Sequence, residues 1–280
     1  MRAKVRSLLD EYAKKGNKRV EGWLQPTAIK VILELARMQQ ELGIHGPACE
    51  IGVHHGRLFL LLHLLTAPPE RSAAIDLFEM QDENIDGSGH GSRDALLRNL
   101  RTHGCDMSRV EVVSENSLRV TPERIVSLCG GRPRLFSIDG GHTAEATRND
   151  LLLADRTTCE GGLVILDDYF NSSWPGVSEG TCTFMREDRE RLVPVAITSN
   201  KFIFTVGEEQ AAAYRQRWLQ KGSGPDVMSG SSPVSKVFGS EVICFEPRPN
   251  LRDTAVQSKL WARIRNTPVG HALRRLKRWR

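Results

Sequence analysis

Apolar residues in this chain fall into short runs separated by longer amphipathic stretches, an alternation that predicts strands interleaved with helices. ACEIGV (48–53) passes directly into the apolar helix HHGRLFLLLHLLT, which Ala67, Pro68 and Pro69 end. SAAIDLF (72–78), Val110 to Val113, LFSI (135–138) and GGLVIL (161–166) read as further buried strands. A helix capped near Ser92, another opened by Thr121, Pro122 and Glu123, and a third between LFSI and GGLVIL connect them. VPVAITSNKFIFTV reads as two strands joined at Ser199 and Asn200, a hairpin that closes the sheet.

Two helices precede the first strand. Leu8, Leu9 and Tyr12 give the first a weak apolar face that Gly16 ends, and Thr27 to about Leu42 is stronger, with Ile29, Val31, Ile32, Leu35 and Ala36 on one side. Residues 208–221 are helical, KGSGPDVMSGSSP is a linker, and SEVICFE is a candidate extra strand. The division expected is a helical cap over 1–44, an α/β core over 45–222, and a linker, extra strand and basic tail over 223–280.

At 280 residues and 40% hydrophobic content, the chain suits one large domain with a substantial core. No apolar run has the form of a signal peptide or the length of a membrane span, and a cytoplasmic location is expected. Cys49, Cys105, Cys129, Cys159, Cys182 and Cys244 contain no CxxC pair, which points to reduced, structural thiols and argues against zinc and disulfide frameworks. The net charge of +5 is modest and concentrated in HALRRLKRWR at the C-terminus, so nucleic acid is not the expected partner. Leu273, Leu276 and Trp279 at helical spacing leave a peripheral membrane contact or an acidic glycan open to that tail. A homo-oligomer is also open.

The chemistry concentrates where the strands end. Glu50, Gly52 and Gly56 make an ExGxxxG strand-to-helix turn in which glycine lets a ligand approach the backbone, with Val53 beside it and Glu50 available to a cation. It is not the GxGxxG fingerprint of dinucleotide binding. Asp76 ends the second strand, at a place where an acid holds ribose hydroxyls. Asn116 and Ser117 follow the third strand and are candidates for a base edge, and the polar loop EMQDENIDGSGHGS is a candidate lid. Asp139 ends LFSI, and Asp167 and Asp168 end GGLVIL; if those strands are parallel neighbours, three carboxylates and His142 meet at one edge. An all-oxygen carboxylate cluster suits Mg²⁺, Mn²⁺ or Ca²⁺. Asn171 to Gly180, with Trp174, is expected to be a loop above the carboxylates, followed by a helix from Glu179 to Arg189.

Five β and α units, a glycine turn, an acid after the second strand and a closing hairpin resemble the class I S-adenosylmethionine-dependent methyltransferases over roughly residues 45–207. IDGGH, GGLVILDDY and WPGV further resemble the macrocin and mycinamicin sugar O-methyltransferases and the cephalosporin-hydroxylase-like proteins. The resemblance implies a Rossmann-like fold with a mostly parallel seven-stranded sheet, helices on both faces, and O-methylation of a sugar or glycoside hydroxyl. It implies Asp139, Asp167 and Asp168 as ligands of a divalent metal, Mg²⁺ foremost, and His142 as general base. Glu50, Gly52, Val53, Gly56, Asp76, Asn116 and Ser117 are then expected to line the S-adenosylmethionine site, and Trp174 and Tyr169 the acceptor site. Some sugar methyltransferases have glutamate where this chain has Asp167, and the shorter arm leaves direct or water-mediated coordination open. A catechol-type acceptor and a non-methylating, cofactor-binding partner of an oxygenase are the alternatives. Methyl transfer to nucleic acid lacks a DPPY- or NPPF-like motif, and nicotinamide chemistry lacks its glycine fingerprint.

Overall fold

A computed structural model of the chain describes residues 2–198, 200–220 and 234–245. Its centre is one nine-stranded sheet in the order β3-β2-β1-β4-β5-β7-β6-β9-β8. The first five strands, β1 (Ala48–Ile51), β2 (Ser72–Asp76), β3 (Val110–Ser114), β4 (Leu135–Ile138) and β5 (Leu163–Asp167), are mutually parallel. The antiparallel pair β6 (Leu192–Ile197) and β7 (Lys201–Val206) attaches through β7 to β5, as the hairpin pattern predicts. Two more strands, β8 (Val234–Val237) and β9 (Ser240–Cys244), extend the expected seven; β9 runs parallel to β6, with Ala196 opposite Ile243. Buried Val242, Ile243 and Phe245 continue the core past the hairpin, the apolar character already visible in SEVICFE.

The parallel strands β1, β2, β4 and β5 are buried on both faces, whereas edge strand β3 is only partly buried, and alternate residues divide between two cores. In β5, Leu163 and Ile165 enter one apolar cluster and Val164 and Leu166 the other. Residues from α1 (Arg2–Lys14), α2 (Pro26–Glu41), α3 (Arg57–Leu65) and α8 (Glu208–Gln220) share the first cluster. Residues from α5 (Pro122–Cys129), α6 (Ala144–Thr157) and α7 (Pro175–Thr183) share the second. The remaining helix, α4 (Arg93–Thr102), is capped by Ser92, whose hydroxyl accepts from Ala95 N–H. Thr121 and Thr143 cap α5 and α6 in the same way.

Register places the site. Ile51 pairs with both Ile75 and Ile138, and Ile138 pairs with Leu166, so β1, β2, β4 and β5 end level with one another. Strand order reverses between β1 and β4, the position at which open α/β sheets bind ligands. One boundary departs from expectation. Trp174-Pro175-Gly176 opens α7, which then passes through a π-turn over Phe184–Asp188. Proline lacks the N–H that a first helical turn leaves unused, so Pro175 starts the helix instead of interrupting a loop. The six cysteines are all free thiols. Among the described residues no helix is long and apolar enough to cross a membrane. The linker at 221–233 and the basic tail with Leu273, Leu276 and Trp279 lie outside the described residues.

Candidate active site

A cavity of about 530 Å³ opens along the C-terminal edge of β1, β2, β4 and β5, and its lining includes Glu50, Gly52, Val53, Asp76, Asn116 and Ser117. Gly52 has φ 77°, and a Cβ there would lie 1.8 Å from the Asp139 carbonyl oxygen. Only glycine lets β1 turn away this close to the end of β4. Gly56 stands one turn on, as the residue before α3. Glu50 is 2% exposed, and its Oε2 has no hydrogen-bond partner. Burial pushes its carboxyl up to about 8. Asp76 does more than line the wall: its Oδ2 accepts from Val53 N–H at 2.6 Å and His54 N–H at 2.7 Å, and its Oδ1 accepts from Phe78 N–H at 2.7 Å. The acid expected on ribose thus also ties β2 to the glycine turn. Asn116 donates to Glu83 Oε2 at 2.9 Å.

At the other end of the cavity, Asp139, His142 and Asp168 each offer a ligand atom within 4.8 Å of the other two. Burial first, and Asp167 second, hold the Asp139 carboxyl well above its usual range. Asp168 adopts φ 59°, a conformation rare outside glycine that turns its side chain back over the strand end. Burial would raise the Asp168 carboxyl, but the bonds from His142 and Asn171 outweigh it and bring it below the usual range. Asp167, expected as the middle metal ligand, is hydrogen-bonded through both carboxylate oxygens. Its Oδ2 accepts from Lys201 Nζ at 2.5 Å, and its Oδ1 from Asn200 Nδ2 at 2.7 Å and from Asp168 N–H at 2.9 Å. Both oxygens accept hydrogen bonds, and His142 joins Asp139 and Asp168 in the cluster of ligand atoms.

His142 is held on three sides. Asp86 Oδ2 accepts from His142 N–H at 2.6 Å and lies 3.0 Å from Nδ1, Asp168 Oδ2 lies 3.4 Å from Nε2, and the Trp174 ring stacks on the imidazole at 4.3 Å and 18°. Burial alone would lower the imidazole pKa; Asp168 and Asp86 together raise it. With Nδ1–H on Asp86, the Nε2 lone pair faces an Asp168 oxygen. Two acceptors at that distance repel unless a proton or a cation lies between them. Gly176 brings α7 against this segment, for a Cβ there would sit 2.5 Å from the His142 carbonyl oxygen.

Two participants escaped the reading of the sequence. Asp86 comes from the polar loop expected as a lid, and nothing in DENIDGSGHG distinguishes its four acids and amides until the loop folds over β4. Lys201 left a signal: it is the single charge in KFIFTV, opposite Asp167 in the β5–β7 register, and it is fully buried. Burial would lower its ammonium pKa, but Asp167 and Asp139 outweigh burial and raise it. Tyr169 does not line the cavity; it packs on Phe202 at 4.9 Å in the second core. Trp174 does line it, stacked on His142.

Residues 49–169 match a family model described as a methyltransferase domain. No curated protein matches the chain. Among solved structures, the O-methyltransferase NovP is similar at a TM-score of 0.55 and 15% identity, covering 65% of this chain and 81% of that one. CalS11, a TDP-rhamnose 3′-O-methyltransferase of calicheamicin biosynthesis, is similar at 0.51 and 18% identity, covering 74% of this chain and 93% of that one. The parallel sheet with its antiparallel hairpin is the Rossmann-like fold of these structures, and the methyltransferase-domain match spans β1 to the end of β5 within it. The chain's likeness among solved structures is to O-methyltransferases.

Proposed function

We propose that the protein transfers the methyl group of S-adenosylmethionine to a hydroxyl of a sugar or glycoside and requires a divalent cation to do so. The observation that carries this reading is the gathering of Asp139, His142 and Asp168 within 4.8 Å, in the same cavity as the glycine turn. The activity of CalS11 on a sugar nucleotide and the IDGGH and WPGV motifs favour a sugar over a catechol.

The residues fit both groups. Glu50 offers a buried, unpartnered carboxylate oxygen at the glycine turn, complementary to the ammonium of a methionine moiety, with the Asp76 carboxylate at the ribose end. Asp139 and Asp168 offer hard oxygen donors, and Glu50, Asp139 and Asp167 crowd around a single lysine, with burial holding Glu50 and Asp139 toward their neutral forms, from which a bound cation would draw them into ionisation. A divalent cation held by Asp139 and Asp168 would lower the pKa of the acceptor hydroxyl, and the cofactor would supply an activated methyl group. His142 receives the hydroxyl proton at Nε2, with Asp86 on Nδ1 fixing the tautomer that leaves Nε2 free. Trp174 packs the imidazole from one side and limits its rotation. The loop bearing Asp86 is held against the His142 backbone by that carboxylate. On methyl transfer the acceptor's proton would pass to His142 Nε2.

A second reading is favoured by the same cluster: His142 binds the cation alongside Asp139 and Asp168, and the hydroxyl loses its proton to solvent. The primary test is methylation of sugar and glycoside acceptors with labelled cofactor, with and without chelator. Activity is expected to disappear on chelation and return with Mg²⁺ or Mn²⁺, and Asp168→Ala is expected to abolish it with cofactor binding intact. Full activity under excess chelator would refute the metal requirement.

A further inference from the structure

Across the glycine turn from the Asp139 cluster, Glu21, His54 and His55 form a second group of ligand-type side chains. One ring nitrogen of each histidine and one Glu21 carboxylate oxygen all lie within 4.8 Å of one another. His55 Nδ1 stands 3.3 Å from Glu21 Oε2. Zinc bonds of about 2.0–2.1 Å in a tetrahedron separate neighbouring ligand atoms by about 3.4 Å. One pair is therefore already at the coordinating separation, and the others, all within 4.8 Å, would close by at most about 1.4 Å. Two imidazoles and one carboxylate suit Zn²⁺; Mg²⁺ prefers an octahedron of oxygens.

Three further features point to a ligand. His54 Nδ1 is buried with no hydrogen-bond partner, an arrangement native interiors rarely leave unexplained. The two imidazoles stack at 4.0 Å and 23°, bringing both rings to one side of the turn. His54 holds φ 52°, uncommon for a residue that is not glycine, and its N–H is fixed on Asp76 Oδ2. The nearby Arg57 guanidinium is engaged by the Gly22 carbonyl oxygen. The Glu21 side chain is 74% exposed, which leaves solvent access for a fourth ligand.

We propose that Glu21, His54 and His55 bind a zinc ion that fastens the segment before α2 to the glycine turn. Glu21 and Trp23 of this segment line the cavity together with His54, so the ion would close one wall of the binding site. The site is independent of the Asp139 cluster and of the acceptor's identity.

The test is zinc binding by the full-length protein, measured by competition with a chromogenic chelator, and Co²⁺ substitution read by visible absorption. Wild type and Asp168→Asn are both expected to bind zinc at this site and to show the intense absorption of four-coordinate Co²⁺. Glu21→Gln and His55→Ala are expected to lose at least about 10-fold in zinc affinity, since altering even an outer-shell partner costs that much, and to lose the Co²⁺ band. Zinc should raise the Tm of wild type and leave that of Glu21→Gln unchanged. Glu21 is exposed, so this variant retains its fold and carries the test if His55→Ala does not. Equal zinc affinity in wild type and Glu21→Gln, or loss of all zinc binding in Asp168→Asn, would overturn the proposal.

Discussion

His142→Ala is expected to lower the methyl-transfer rate about 10²–10⁴-fold, the usual contribution of a positioned general base, with S-adenosylhomocysteine affinity unchanged. The reasoning rests on the proposed function and on three contacts: Asp86 on Nδ1, Asp168 near Nε2 and Trp174 on the ring face. Metal affinity separates the two roles open to this imidazole. If His142 takes the proton, the variant binds Mn²⁺ as wild type does and fails in the chemical step. A loss of Mn²⁺ affinity matching the loss of rate would make it a ligand. The pH profile adds a second discriminator. A base works when deprotonated, so kcat should fall on an acid limb as the imidazole, whose pKa Asp168 and Asp86 raise when no cation is bound, takes up a proton. Asp86→Asn removes one of the two anions that raise it and should move that limb to lower pH. An acid limb that stays in place would mean that another group titrates.

Lys201→Met is expected to cost about 3–5 kcal/mol of stability, because it strands a buried carboxylate without its partner. In a chain of this size that is a fall in Tm on the order of 10 °C, measurable by thermal unfolding monitored by circular dichroism. Lys201 is 0% exposed and Asp167 5%, so water cannot replace the lost ammonium. Two details sharpen the expectation. Lys201 also attracts Asp139 and Glu50, so its removal leaves three acids mutually repelling at the end of β5. Added divalent cation should therefore restore part of the lost stability in Lys201→Met and less in wild type. An unchanged Tm would show that the Lys201–Asp167 pair adds nothing to stability.

These two residues also show where reading residues in order succeeds. The β/α alternation, the closing hairpin and the acids at strand ends were all legible, because period and strand-end chemistry are local properties. The parallel pairing of β4 with β5, needed to bring Asp139 beside Asp168, was predictable too, since a helix separates them. Roles within the resulting cluster were less accessible. Asp139, Asp167 and Asp168 look alike in sequence, yet burial and partners give them three environments: raised above its range, locked to Lys201 and Asn200, and lowered beside His142.

Tyr169 illustrates the same limit at the scale of one residue. It follows Asp168 directly, but the left-handed turn at Asp168 sends the next side chain toward Phe202, away from the cavity. No periodicity announces a single positive φ at a non-glycine residue. Pro175 was visible, but its effect depended on whether α7 had a partner, which Gly176 and Gly180 supply by close approach to the backbone around His142 and Ala144.

Order along the chain thus settles the class of fold, the edge of the sheet that carries the chemistry, and the glycine turn at its start. Which carboxylate stays free for a cation, which loop reaches His142, and which histidines share a second cluster depend on the folded chain alone. Asp86 and His142 are 56 residues apart, and Lys201 lies 34 residues from Asp167. Their electrostatic coupling arises only when the folded sheet removes the water between them and lowers the local dielectric.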